Sequence, residues 1–201
     1  MRIGVLASGA GTNLQALLDR LHRRAGVEVI AVGSDRPRAR ALDRARAAGV
    51  PTRVFEHADR TERDAAMADW LADAGVELVV LAGYMRLLSP GFLARFPDRV
   101  INVHPALLPA FPGIGAVEQA LAQGVKVFGV TVHFVDAGVD SGPIIAQRAI
   151  ELPNATSATE VHDALRPLEH DLLCDAVRLI ARSAVAVEGR RCIVRPDDAA
   201  R

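Results

Sequence analysis

Strand-like and helix-like patterns alternate from the first residues of this chain, and that alternation leaves few folds open. Ile3 to Ala7 reads as a short buried strand. Asn13 to about Arg24 follows as a helix whose Leu14, Leu17, Leu18 and Leu21 recur at helical spacing. Val27 to Val32 is a second strand, Pro37 to Ala48 a second helix and Thr52 to Phe55 a third short strand. Thr61 to Ala74 forms a third helix, with Met67, Trp70 and Leu71 inward, and leads to a fourth strand at Val76 to Ala82. An order of βαβαβαβ implies right-handed crossovers and a parallel sheet covered on both faces.

The second half changes character. After a short helix at Pro90 to Phe96 comes the strand Val100 to His104, then a Pro-rich loop to Pro112 and a helix near Ala116 to Gln123. Strands at Val125 to Val135 and Pro143 to Ile150 are joined by the tight loop Asp136 to Gly142, so they pair antiparallel. Ser157 to about Val185 reads as a long amphipathic helix carrying Val161, Leu165, Leu168, Leu172, Leu173, Val177 and Ile180 on its apolar side; Pro167 should kink it or mark an early turn. A hairpin around Glu188 and Gly189 follows, and the chain frays from Pro196 onward. The expected fold is α/β: a Rossmann-like, mostly parallel twisted sheet of about seven strands, antiparallel in part of the C-terminal half, with helices on both faces and a long C-terminal helix.

Composition narrows the function classes. The 201 residues carry 24 basic and 24 acidic side chains, which removes the positive field expected of a general nucleic-acid binder. The arginines at 36, 38, 40, 44 and 46 are interleaved with Asp35 and Asp43 and read as a solvated helix face. Cys174 and Cys192 form neither a metal pair nor a disulfide framework, which suits the cytoplasm. No signal peptide opens the chain, and its apolar runs fall far short of the roughly 20 residues that span a bilayer. A small ligand is therefore expected, with no nucleic acid and no membrane.

Three segments carry candidate chemistry. Ser8-Gly9-Ala10-Gly11-Thr12-Asn13 lies between a strand and a helix, so its N–H groups can hold an anion such as phosphate; alternatively, Thr12 and Gln15 form a capping box. It is neither a dinucleotide fingerprint, since Leu14 replaces the third glycine, nor a Walker loop, since it has no lysine. Asn102 and His104 stand two residues apart at a strand end that Pro105 terminates. An extended chain places them on one face, where open α/β sheets bind ligands; alternatively, they are a hydrogen-bonded amide and a core histidine. Asp140 is a turn aspartate or the carboxylate that orients His104. An amide donor, an imidazole and a carboxylate suit acyl transfer onto an amine, and no serine or cysteine sits on a nucleophile elbow, so direct transfer is expected. The rival use of His104, His133 and Asp140 as a metal triad has no HxxxH or HExxH pairing behind it, so no metal is expected.

Four blocks together resemble one known family: VLASGAGTN near the start, LAGYMRLLSP at 81–90, INVHPALLPAFPG at 101–113 and GVTVHFVDAGVDSGPII at 129–145. From Ile3 to about Ile180 the chain resembles the folate-dependent phosphoribosylglycinamide formyltransferases. The resemblance implies transfer of the formyl group of 10-formyltetrahydrofolate to the amino group of glycinamide ribonucleotide in purine biosynthesis, giving formylglycinamide ribonucleotide and tetrahydrofolate. It makes Asn102, His104 and Asp140 the catalytic trio. It assigns the ribonucleotide's phosphate to Gly11, Thr12 and Asn13 with Arg63, to which Arg60 is a nearby alternative, and the ribose hydroxyls to Glu169. The folate pocket falls to Met85, Arg86, Leu87 and Leu88 with Val135, Asp136 and Val139. One formyltransferase domain is implied over 1–201, its half 1–100 binding the ribonucleotide phosphate and its half 101–201 catalytic and folate-binding, in a monomer or homodimer.

Some positions depart from the family pattern. Gly115 stands where relatives usually carry a histidine that helps hold the catalytic aspartate. Ala10 replaces a common asparagine, and Thr131 a frequent serine. Among competitors, formyltetrahydrofolate deformylase passes the formyl group to water and usually carries an extra amino-terminal domain, whereas here the catalytic block begins at residue 1. Methionyl-tRNA formyltransferase needs a further tRNA-binding domain. A non-catalytic folate or nucleotide sensor on the same fold is the reading from another class.

Overall fold

A computed structural model describes residues 1–195, and these form two compact units, 1–102 and 103–195. The expectation that the chain frays from Pro196 lies outside the described residues.

In the first unit the strands are β1 (Arg2–Leu6), β2 (Glu28–Ser34), β3 (Thr52–Val54), β4 (Leu78–Leu81) and the first three residues of β5 (Val100–His104). They run parallel in the order β3-β2-β1-β4-β5. The helices α1 (Thr12–Arg20), α2 (Arg40–Ala47), α3 (Arg60–Asp73) and α4 (Pro90–Arg95) connect them. Leu14, Leu17 and Leu21 of the first helical stretch are fully buried, as are Met67 and Leu71 of α3, so the apolar stripe read from the sequence is the core face. Gly4 belongs to that packing, because a Cβ there would lie 2.9 Å from the Leu71 side chain. Helix α1 stops four residues early: beyond Leu21, Arg23, Ala25 and Gly26 all take positive φ and turn the chain into β2.

The second unit holds α5 (Ala116–Ala122), β6 (Val127–Phe134), β7 (Ile144–Glu151), α6 (Ala158–Ala181), β8 (Val185–Glu188) and β9 (Arg191–Val194). Strands β6 and β7 pair antiparallel as expected, and their register shifts between Val132 and His133. The tail hairpin β8–β9 pairs parallel to β7 through Ile144 and Arg191, which extends the strand count beyond the seven anticipated. Helix α6 packs on β6 and β7. Its Val161, Leu165, Leu173 and Val177 are completely buried, each contributing about 1.5–3 kcal/mol by area, whereas Leu168 and Ile180 lie at the margin. Pro167 lies inside α6 with its ring exposed, and the helix runs through it. The helix ends at Ala181, short of Val185, because Ser183 adopts φ 56°.

Among the described residues no helix is long and apolar enough to cross a membrane.

Candidate active site

Two polar side chains expected at the end of β5 are present there. His104 is buried and Asn102, two residues earlier on the strand, is half-buried. The Nε2 atom of His104 lies 2.8 Å from the Phe111 carbonyl. A carbonyl only accepts, so Nε2 carries the hydrogen. Nδ1 lies 3.3 Å from Oδ2 of Asp140, within ion-pair distance of the carboxylate.

Asp140 occupies the centre of this cluster. Its Oδ2 accepts from the Gly113 N–H at 2.8 Å, and its Oδ1 lies 3.5 Å from Nε2 of His133. The Nδ1 of His133 is 2.8 Å from the Phe134 carbonyl, which fixes the ring. The carboxylate thus sits between two imidazoles and a backbone N–H. Burial alone would raise its pKa; the hydrogen bonds from His133 and Gly113 and the charges of both histidines outweigh that and bring it down to about 2. Gly115 has φ 72° and caps α5, and no side chain from that position is needed. His133 and Gly113 hold the carboxylate instead.

The loops that deliver these groups are built by short-range constraints. Asp136 Oδ1 accepts from the Gly138 N–H at 3.1 Å and from the Ser141 hydroxyl at 2.7 Å, which closes the loop around Val139. A Cβ at Gly142 would lie 1.9 Å from the Phe134 carbonyl oxygen, so glycine is required there. Asp140 itself has φ 49°, a left-handed conformation that aspartate tolerates. Thr131, fully buried on β6, fastens the Pro-rich loop: its hydroxyl donates to Ala106 O at 2.7 Å and accepts from Leu108 N–H at 3.1 Å and from Gln147 Nε2 at 2.9 Å. Phe111, whose carbonyl meets His104, lies farther along that loop at φ 54°.

In the first unit, Gly11 caps α1 at φ 71°, and a Cβ there would lie 2.7 Å from Ala41. No side chain caps the helix, so the box between Thr12 and Gln15 is not formed. Gln15 instead donates to Asp19 and accepts from Arg44, whose Nε donates to the Ala10 carbonyl at 2.8 Å. The first N–H groups of α1 have no helical acceptor, as at any helix start. Arg63 is buried, with Nε and Nη2 at 3.0 and 2.9 Å from Asp64 Oδ1. Arg60 donates to the Leu88 carbonyl. Met85 and Leu87 are exposed and Leu88 is buried; Met85 and Arg86 are fastened to Ser8 and Asp35.

In the second unit, Val135 and Asp136 are half-buried, Val139 is exposed and Glu169 lies half-buried on α6. Residue patterns alone join His133 to Asp140 only in the rival metal triad; its role in holding the carboxylate comes from the structure, where it lies 3.5 Å from Oδ1.

The family model for formyl transferase matches residues 1–177. The chain belongs to the formyl transferase family. Within it, the chain is 45% identical over 192 residues to a phosphoribosylglycinamide formyltransferase of Mycobacterium tuberculosis, covering 94% of this chain and 89% of that one. The Bacillus subtilis protein of that name is 41% identical over 173 residues, 84% of this chain and 89% of its own. Among solved structures, glycinamide ribonucleotide transformylase 1 from Symbiobacterium toebii superposes with a TM-score of 0.94 at 48% identity, covering 98% of this chain and 94% of that one. A formyltetrahydrofolate deformylase from Pseudomonas syringae shares the fold, with a TM-score of 0.90, at 26% identity, and this chain spans 66% of its length.

Two outcomes test the cluster. Thr131→Val keeps the shape but leaves the buried Leu108 N–H unpaired, so it should lower unfolding free energy by about 1–3 kcal/mol in urea titrations. Asp140 has a depressed pKa, so it stabilises the fold above the usual carboxylate range, and that contribution is lost as pH falls through about 4 towards 2. Asp140→Asn should therefore be less stable than the parent by about 2 kcal/mol at pH 7, with the gap closing below pH ~4 in thermal melts.

Proposed function

We infer that this chain is a phosphoribosylglycinamide formyltransferase, moving a formyl group from a folate-derived donor to the amino group of glycinamide ribonucleotide in purine biosynthesis. The observation that carries this reading is the 45% identity to the Mycobacterium tuberculosis enzyme over 94% of the chain. The deformylase reading rests on a likeness of 26% identity and is the weaker one.

The donor in this proposal is 10-formyltetrahydrofolate, and both compact units contribute to one activity. The amine nitrogen of the ribonucleotide attacks the formyl carbon, a C–N bond forms, and the carbonyl π electrons move to oxygen. Asn102 donates its amide to that oxyanion, and His104, oriented by Asp140, supplies a second positive or hydrogen-bonding group. The attacking nitrogen then loses a proton, N10 of the folate gains one, and the C–N10 bond breaks, releasing tetrahydrofolate. Asp140, ionised throughout the neutral range because its pKa is near 2, keeps His104 in register during both transfers. These steps balance with the two substrates and side-chain groups, so the proposal invokes no metal.

Gly11, Thr12 and Asn13 are proposed to cradle the ribonucleotide's phosphate at the start of α1, where the outward-facing N–H end of the helix and its dipole favour an anion. Arg63 is proposed to add charge to that phosphate site, and Glu169 to hold the ribose hydroxyls. The exposed Met85 and Leu87, with Arg86 and Leu88, and the loop carrying Val135, Asp136 and Val139 are proposed to take the folate. The cytoplasm is the proposed compartment, in keeping with Cys174 and Cys192 not being joined in a disulfide.

Incubation with 10-formyltetrahydrofolate should release tetrahydrofolate only when glycinamide ribonucleotide is added. Turnover without it would establish the deformylase, and no turnover in either case the sensor. Asn102→Ala should lower kcat by roughly 10²–10³-fold with little change in ribonucleotide affinity, and His104→Ala by about 10²–10⁴-fold; steady-state kinetics with both substrates varied checks both.

A further inference from the structure

We propose that Asp35 and Ser8 are positioning residues for the formyl donor: they fasten the Met85–Leu88 segment and aim the Arg86 guanidinium towards the bound folate. The inference deepens the formyl-transfer reading and rests on its assignment of the 85–88 segment to the folate.

Three loops of the first unit meet at this point, each leaving the C-terminal end of a parallel strand. Ser8 follows β1, Asp35 follows β2, and Met85 with Arg86 follows β4. The Ser8 hydroxyl donates to Asp35 Oδ1 at 2.5 Å and accepts from the Met85 N–H at 2.9 Å. The other carboxylate oxygen, Oδ2, accepts from Nε of Arg86 at 2.9 Å. Ser8 is 2% exposed and the Asp35 side chain 2%, whereas the Arg86 side chain is 57% exposed. The pairing therefore buries the carboxylate and leaves the guanidinium in solvent. One edge of the guanidinium is anchored, so the direction of the planar group is set while its outer nitrogens stay accessible.

A buried carboxylate is costly unless its oxygens are satisfied, and here the partners are specific. Arg36 also approaches Oδ2, at 4.0 Å, which is too long for a hydrogen bond, so Arg86 is the bonded partner. Burial works against ionisation of Asp35; the bonds from Ser8 and Arg86 outweigh it and hold the pKa below the usual carboxylate range. Ser8 begins the loop that leads to the proposed phosphate cradle and its hydroxyl accepts from the Met85 N–H, so one hydroxyl ties that loop to the folate segment. For capping or solubility alone, an acid at position 35 need not be buried or reach across two loops.

The experiment is a double-mutant cycle read by calorimetric binding of 5-formyltetrahydrofolate, with glycinamide ribonucleotide as the second ligand. Asp35→Asn keeps an oxygen for Ser8 but turns an amide towards Arg86. It should raise the folate Kd roughly tenfold and leave the ribonucleotide Kd within about twofold. Arg86→Gln should do the same, and the double variant should bind no more weakly than Arg86→Gln alone. Ser8→Ala, which leaves the Met85 N–H unpaired, should raise the folate Kd severalfold, and Arg36→Gln should change nothing. Independently of any ligand, the Arg86 Nε–H should be protected from solvent exchange by NMR in the parent and lose that protection in Asp35→Asn. Additive losses in the cycle, equal weakening of both ligands, or an unprotected Arg86 Nε–H in the parent would overturn the proposal. A parent that fails to bind 5-formyltetrahydrofolate would instead overturn the formyl-transfer reading, with the Nε–H signal still reporting on the Asp35–Arg86 link.

Discussion

A half-buried carboxylate between two imidazoles is the constraint on which the second unit depends. Asp140 can stay ionised there only because His104, His133 and the Gly113 N–H all point at it. That demand explains features that look unrelated in the chain. Gly142 has no Cβ because the Phe134 carbonyl occupies its place, and Asp136 spends one oxygen on closing the loop. The register between β6 and β7 shifts at His133, where β7 carries one extra residue, Ile145, next to the loop. Thr131, on the same face, ties down the segment that brings Gly113 and the Phe111 carbonyl to the cluster.

The first unit solves a different problem with backbone groups. Its proposed anion cradle has no side-chain cap, and the glycine that opens α1 is forced by the approach of Ala41 as well as by its positive φ. Arg44 occupies the Ala10 carbonyl, which turns one acceptor of the loop away from any incoming anion and adds a positive charge beside it. Arg63 shows the opposite economy. Its guanidinium is committed to Asp64, so any role at the phosphate would be carried by an arginine already neutralised on one side.

Much of the fold was legible because it rests on short periods in the chain. The 3.6-residue stripes of α1, α3 and α6 and the apolar runs of β1, β2 and β4 record burial directly, and the helices and parallel strands follow. Boundaries were less legible: α1 and α6 end where Arg23 and Ser183 take left-handed conformations, which their side chains do not announce. The tail hairpin was visible from Glu188-Gly189, but its pairing to β7 was not, since the ladder between them holds one residue pair, Ile144 and Arg191, 47 positions apart. At the site, Asn102, His104 and Asp140 stand out by residue type and position, whereas His133 enters only as a member of the rival metal triad.

The sequence by itself determined the α/β class, the residue types available for acyl transfer and the loops that carry them, because spacing of two or four residues along a strand or helix is enough to assign a face. Only the tertiary structure decided which groups neutralise each buried charge. Gly113 and Asp140 are 27 residues apart, and Ser8 and Asp35 likewise, so no local pattern couples them. A hydrogen bond needs its atoms within about 3 Å, and the folded backbone alone sets that distance. For the same reason the missing side chain at Gly115 had no consequence readable from the chain: whether Asp140 needs it depends on what else the fold brings within reach.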